Sequence, residues 1–171
     1  LEANTTGANN VAIGHESLTA ATTADGNTAV GYQSMVANTD GNQNVAVGYR
    51  SLKSNTTGQY NHAFGYLALE DNQTGGYNCA FGWGSLLNNY ASYNCGFGNL
   101  TLYQNTTGSD NTAVGYRALN TNTTGYDNTA VGKDALDSIT TANNCACIGH
   151  NADVSASGAV HQNVFGNKTS N

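Results

Sequence analysis

Charge is scarce in this chain. Charged residues are 9% of its 171 positions, with 5 Lys and Arg against 11 Asp and Glu and a formal net charge of −6; typical soluble domains carry about a quarter. Five basic side chains scattered along the sequence make no patch that could neutralise phosphates, which argues against nucleic acid as a partner. Proline is absent. No apolar run approaches the roughly 20 residues of a membrane span, so no membrane insertion by this segment is expected. No signal peptide opens the chain. It starts inside a repeat, at Leu1-Glu2-Ala3, and so reads as a fragment of something longer. Catalytic signatures are missing too. There is no Gly-x-Ser-x-Gly, no strand-to-helix phosphate loop, and no Cys-x-x-Cys or His/Cys spacing suited to zinc. We therefore expect no enzyme, no cofactor and no metal.

Asn and Thr, with 21 Gly, dominate instead. Polar composition of this kind can mean disorder, but Val, Ile, Phe and Tyr recur here at fixed positions. The decisive feature is a repeat. An anchor glycine returns at Gly14, Gly31, Gly48, Gly65, Gly82, Gly98, Gly115, Gly132, Gly149 and Gly166, spaced by 17 residues except for a single 16. The residue before it is Ile13, Val30, Val47, Phe64, Phe81, Phe97, Val114, Val131, Ile148 or Phe165. Two before it is mostly Ala, and four before it is Asn from Asn10 to Asn128. Four after it come Leu18, Met35, Leu52, Leu69, Leu86, Leu102, Leu119 and Leu136. A polar stretch follows, as in Asn55-Thr56-Thr57-Gly58 and Asn105-Thr106-Thr107-Gly108.

Asn-Thr-Ala-Val-Gly is too short for a helix and rich in β-branched residues, so it reads as a strand. The anchor glycine ends it at a bend with φ > 0. The following Tyr-x-Ala-Leu reads as a second short strand. The Asn-Thr-Thr-Gly stretch reads as a turn, its Asn and Thr bonding back to local backbone and its Gly accepting a left-handed conformation. Such a unit is one coil of an all-β, parallel β-solenoid. Coils stack about 4.8 Å apart, and ten of them make a rod about 45–50 Å long. Residues 1–150 form the repeat domain. Residues 151–171 break the pattern, with Asp153 in the Leu column, and read as a terminal coil or a transition to a stalk.

Asn9-Asn10-Val11-Ala12-Ile13-Gly14 closely resembles the head repeat of trimeric autotransporter adhesins, the YadA-like head, whose signature is Asn-Ser-Val-Ala-Ile-Gly. Gln43-Asn44-Val45-Ala46-Val47-Gly48 is a second near match and Asn144-Cys145-Ala146-Cys147-Ile148-Gly149 a degenerate third. Similar repeats occur in tail fibres of bacteriophages and large viruses. This chain departs from the adhesin pattern by its longer coil. The resemblance implies a left-handed parallel β-roll, three chains side by side, working in attachment outside the cell. The residues add independent support for a homotrimer. The Ala column alternates with the Val/Ile/Phe column across the strand, so both strand faces are apolar, one for the interior and one for a partner chain.

Candidate binding residues lie just after the anchor. The column His15, Tyr32, Tyr49, Tyr66, Trp83, Asn99, Tyr116, Lys133 and His150 would stack as a surface ladder. Its aromatic members Tyr32, Tyr49, Tyr66, Trp83 and Tyr116 could hold a glycan, the sugar's C–H face on the rings and its hydroxyls on nearby amides; a surface-protein receptor is the other partner of this kind. Stacked rings could equally serve strand stability alone. Lys133, Asn99 and His150 share the column and argue that it faces solvent. The zone from Tyr60 to Tyr103, with Phe64, Phe81, Phe97, Tyr77, Tyr90 and Tyr93, is the first choice for a specialised site. Cys79 and Cys95 share a column three before the anchor and are expected as free thiols. His62 in the same column could meet its copies on a three-fold axis. The acids Asp25, Asp40, Asp110 and Asp127 read as turn formers, and most of the sequons at Asn4, Asn55, Asn72, Asn99, Asn105, Asn122 and Asn167 as products of the repeat. The function expected is an extracellular attachment fibre or adhesin head. The alternatives are a pure spacer and, remotely, an ice-binding solenoid.

Overall fold

The computed structural model describes residues 1–156 and 158–167. It is a β-solenoid of about nine turns. Ten three-residue strands, from β1 (Val11–Ile13) to β10 (Asn163–Phe165), form one sheet in strict sequence order. Every neighbouring pair is parallel and in register: Ala12 pairs with Ala29, Ala29 with Ala46, Ala46 with Ala63. Helices are absent among the described residues, so no helix is there to cross a membrane. The ladder continues past residue 150, because β10 pairs with β9 (Ala146–Ile148). The end of the segment expected to form a stalk transition, 168–171, and Ser157 in its replacement turn lie outside the described residues.

Three inward columns fill the coil. Ala29, Ala46, Ala63, Ala80, Ala113 and Ala130 point in from the strand centre and are fully buried. They face Leu18, Met35, Leu52, Leu69, Leu86, Leu102, Leu119 and Leu136, buried to the same degree. Small residues such as Ser34, Ser51 and Ala68 occupy the third column; Ser34 donates from Oγ to the Ala46 carbonyl at 2.9 Å.

The corners are closed by buried asparagines. In the column four before the anchor, each amide oxygen accepts the backbone N–H of the next coil's asparagine, as from Asn27 to Asn44 at 2.9 Å and from Asn44 to Asn61 at 2.9 Å. Its Nδ2 donates to a turn carbonyl, Asn44 to Gly58 at 2.8 Å and Asn61 to Gly75 at 2.8 Å. A second column caps the polar turn: Asn55 donates to the Gly58 carbonyl at 3.1 Å and to Asn38 Oδ1 at 2.7 Å. Burying these amides is tolerable because each Nδ2 is paired and most of the oxygens are too, those of Asn72 and Asn122 being the exceptions. Asn55, Asn72, Asn105 and Asn122 have no exposed surface, so their sequons are closed to glycosylation.

Two local expectations need correction. The segment after the anchor is not a second strand. It alternates left-handed residues with ordinary ones, Gln33 (φ 51°) and Met35 (φ 50°), Arg50 (54°) and Leu52 (48°), Leu67 (58°) and Leu69 (53°). Amides two residues apart in it point to opposite sides. Arg50 N–H donates back to the Tyr32 carbonyl (2.8 Å), and Leu52 N–H donates forward to Ala68 (3.0 Å). The segment is therefore an inter-coil ladder without strand dihedrals. The turn glycines differ as well. Gly41, Gly58, Gly75, Gly108 and Gly125 are not left-handed; a Cβ on Gly58 would lie 2.4 Å from the Gly75 carbonyl oxygen, so close stacking is what demands glycine there. The anchor glycines do have positive φ, 136° at Gly31 and 141° at Gly65, as expected.

Candidate binding surface

With Ala inward, the strand residues on either side of it point outward. The outer face carries Val45 and Val47, then His62 and Phe64, Cys79 and Phe81, Cys95 and Phe97. Phe64, Phe81 and Phe97 stack with centroids 4.5 and 4.9 Å apart. His62 is exposed between Val45 and Cys79 in register. Among the described residues no group of three His, Cys, Asp or Glu side chains is placed to hold a metal ion, there or elsewhere.

The column after the anchor lies at the edge of this face and is open to solvent. Tyr32, Tyr49, Tyr66, Trp83 and Tyr116 are 42, 39, 50, 47 and 45% exposed. His15, Tyr32, Tyr49 and Tyr66 form one stack with centroids 5.2, 5.2 and 5.0 Å apart and planes within 9°. Each contact adds about 0.5–1.5 kcal/mol beyond area burial, so the ladder also stiffens the rod. Asn99 interrupts it, and its amide oxygen accepts the Trp83 backbone N–H at 2.9 Å.

A second ladder was not read from the sequence. Tyr60, Tyr77 and Tyr93 stack with centroids 4.8 and 5.1 Å apart on the opposite side of the strand face. All three are left-handed, φ 57°, 60° and 64°. The signal was available: these positions form the column five before the anchor, which elsewhere holds Gly26, Asp110, Asp127 and Asn144. Coils four to six thus present Tyr60, His62, Phe64 and Tyr66, then Tyr77, Cys79, Phe81 and Trp83, then Tyr93, Cys95 and Phe97, as one aromatic field. The zone singled out in the sequence is where this field lies. The coil shortened by a residue inside it keeps its capping bonds, because the Ala91 carbonyl accepts from Asn78 and Asn89, both at 2.8 Å.

The thiols are free. Cys79 and Cys95 are register partners on β5 (Cys79–Phe81) and β6 (Cys95–Phe97). A hydrogen bond with Cys79 lowers the Cys95 thiol to about 7, and the same bond, with burial, pushes Cys79 far above the ordinary range. Cys145 and Cys147 take over the Asn and Ala columns and are buried; burial, then the Asp153 charge, raises Cys147 to about 11.

Acids serve the turns. Asp40 accepts Thr23 Oγ1 at 2.6 Å, which holds its carboxyl below the usual range, and Asp25 accepts the Ala8 N–H at 2.6 Å. Asp110 and Asp127 occupy left-handed corner positions. Turn threonines donate to the next coil and not to their own: Thr56 Oγ1 to Gln73 at 3.1 Å, Thr106 to Thr123 at 2.9 Å. A further acidic group, Asp134, Asp137 and Asp153, lines a cavity of about 250 Å³ near coil eight. Arg117 joins it, with Nη2 3.0 Å from Asp137 and Nε 3.8 Å from Asp134. Burial raises the Asp137 carboxyl, and Arg117 opposes that rise.

No family model matches the chain, and comparison with curated proteins and with solved structures finds no significant match. The class defined by geometry is a parallel β-solenoid repeat protein with an exposed aromatic ladder.

Proposed function

We propose that this chain is a stretch of an extracellular attachment fibre on a cell surface or virion, non-enzymatic, wound left-handed, with three copies side by side. The observation that carries this reading is the exposed column Tyr32, Tyr49, Tyr66, Trp83 and Tyr116, lined up along a rod whose interior is closed. Rings held in register on a stiff support lose little conformational freedom on binding. Three rods would repeat each weak contact, and avidity would multiply them. The outer strand face supports the assembly. Val45, Val47, Phe64 and Phe81 are half-buried on a face that no other element among the described residues covers, and a partner rod would bury them. The resemblance of Asn9–Gly14 to adhesin head repeats points the same way.

A glycan array probed with the assembled protein tests the reading. Binding of defined glycans that is lost in Tyr49→Ala/Tyr66→Ala supports display. Silence across the array and on cell surfaces overturns it and leaves the rod as a spacer.

A further inference from the structure

A surface hollow lies at the break in the ladder. Two coils separate Trp83 from Tyr116, and neighbouring rings of this column stand 5.0–5.2 Å apart where the stack is continuous. Asn99 occupies the coil between them, and its side chain is tied to the Trp83 backbone. The column therefore lacks a ring between Trp83 and Tyr116, and the hollow left there is lined by both. It belongs to a cavity of about 360 Å³, at the small end of ligand pockets.

The surrounding residues shape it. Gly84 follows Trp83, and a Cβ there would lie 3.3 Å from Leu100 Cδ2 and from the Tyr103 ring. Without that Cβ, Leu100 and Tyr103 pack up beside Trp83 and add apolar lining. The polar lining comes from Gln104, Arg117 and Asn120. Asn120 Nδ2 donates to the Leu100 carbonyl at 2.9 Å, which fixes its amide. Arg117 is held by Asp134 and Asp137. Its charge is thereby answered, and the acids beside it repel an anionic ligand.

We propose that this cavity binds one neutral pyranose ring of a glycan, slotted between Trp83 and Tyr116 in the place where the column lacks a ring. The proposal rests on the attachment reading above. Apolar C–H faces meet the two aromatic rings, and hydroxyls at the ring edge meet the amides of Gln104 and Asn120. The amide-rich edge favours a hydroxylated ring over an aromatic one. The acidic neighbours favour a neutral sugar over a sialic or uronic acid.

Trp83 is the only tryptophan, so its fluorescence reports on the cavity directly. Methyl glycosides of neutral hexoses and N-acetylhexosamines, titrated into the full chain, should shift its emission saturably. Asn99→Tyr would complete the aromatic column and fill the slot. It should weaken that binding at least tenfold, while circular dichroism and the thermal transition stay as in the parent. A response to sialyl or uronic glycosides, or to indole, with none to neutral sugars overturns the ligand class. Glycan-array binding that survives Asn99→Tyr unchanged overturns this cavity and leaves the attachment reading standing. A silent array together with a silent Trp83 overturns both.

Discussion

At the scale of single residues, the fold depends on positions where one atom too many meets the next coil. Gly65 has φ 141°, and a Cβ there would stand 2.5 Å from the Gly82 carbonyl oxygen. Gly65→Ala combines backbone strain with a contact that only a backbone shift relieves, so it should destabilise the rod by at least about 2 kcal/mol in chemical denaturation. The buried asparagines are the opposite case, since they are needed for the atoms they carry. Asn61 accepts the Asn78 N–H at 3.1 Å and donates to Gly75 at 2.8 Å. Asn61→Ala leaves the buried Asn78 N–H unpaired, while the Gly75 carbonyl keeps its bond from Asn72 at 2.9 Å, and should cost about 1–3 kcal/mol, read as a lowered denaturation midpoint.

At the scale of elements, a coil has one true strand and one ladder of alternating hand, and the two do different work. The strand turns Ala inward and an apolar face outward. The alternating segment places Leu in the core at a left-handed backbone position, Leu52 at φ 48° and Leu69 at 53°. Such positions are unfavourable for a branched side chain. They hold here because the side chain is fully buried and the amide is paired with the next coil. The aromatic ladder sits between the two elements, at the bend, and its members are half-exposed. Trp83→Ala should accordingly abolish glycan or cell binding while the thermal transition stays within a few degrees of the parent. A loss near the roughly 3–5 kcal/mol expected of a fully buried ring would place Trp83 in the core instead.

At the scale of the whole molecule, nearest-neighbour stacking makes a rod that transmits order along one dimension. The proposed assembly adds a second dimension. Sedimentation should give a mass three times the 17.7 kDa chain; a stable monomer at micromolar concentration would show that the outer strand face has another use. Thiol labelling gives an independent reading of the same face. Cys95, lowered to about 7, is largely thiolate at pH 8 and would react quickly with iodoacetamide if open. In a trimer joined through this face it should react at least tenfold more slowly than the same chain after dissociation. Equal rates would move the interface elsewhere.

The sequence alone determined the period, the parallel stacking, the positive φ of the anchor glycines and the outward Tyr32-to-Tyr116 column. These follow from repetition, because a residue type that returns every 17 positions must meet the same environment in every coil, and Lys133 in the column after the anchor cannot share an interior with Trp83. Tertiary structure decided the rest. The left-handed run through Gln33 and Met35 carries no propensity signal, since Gln, Arg and Leu are not residues that choose that conformation unaided. Gly58 proved to be required by the approach of Gly75, a distance that exists only once coils are stacked. The space beside Asn99 came from two residues far apart in sequence, Gly84 and Tyr103, meeting across coils. Periodicity specifies which columns exist; the stacking distance and the hand of each amide decide what they enclose.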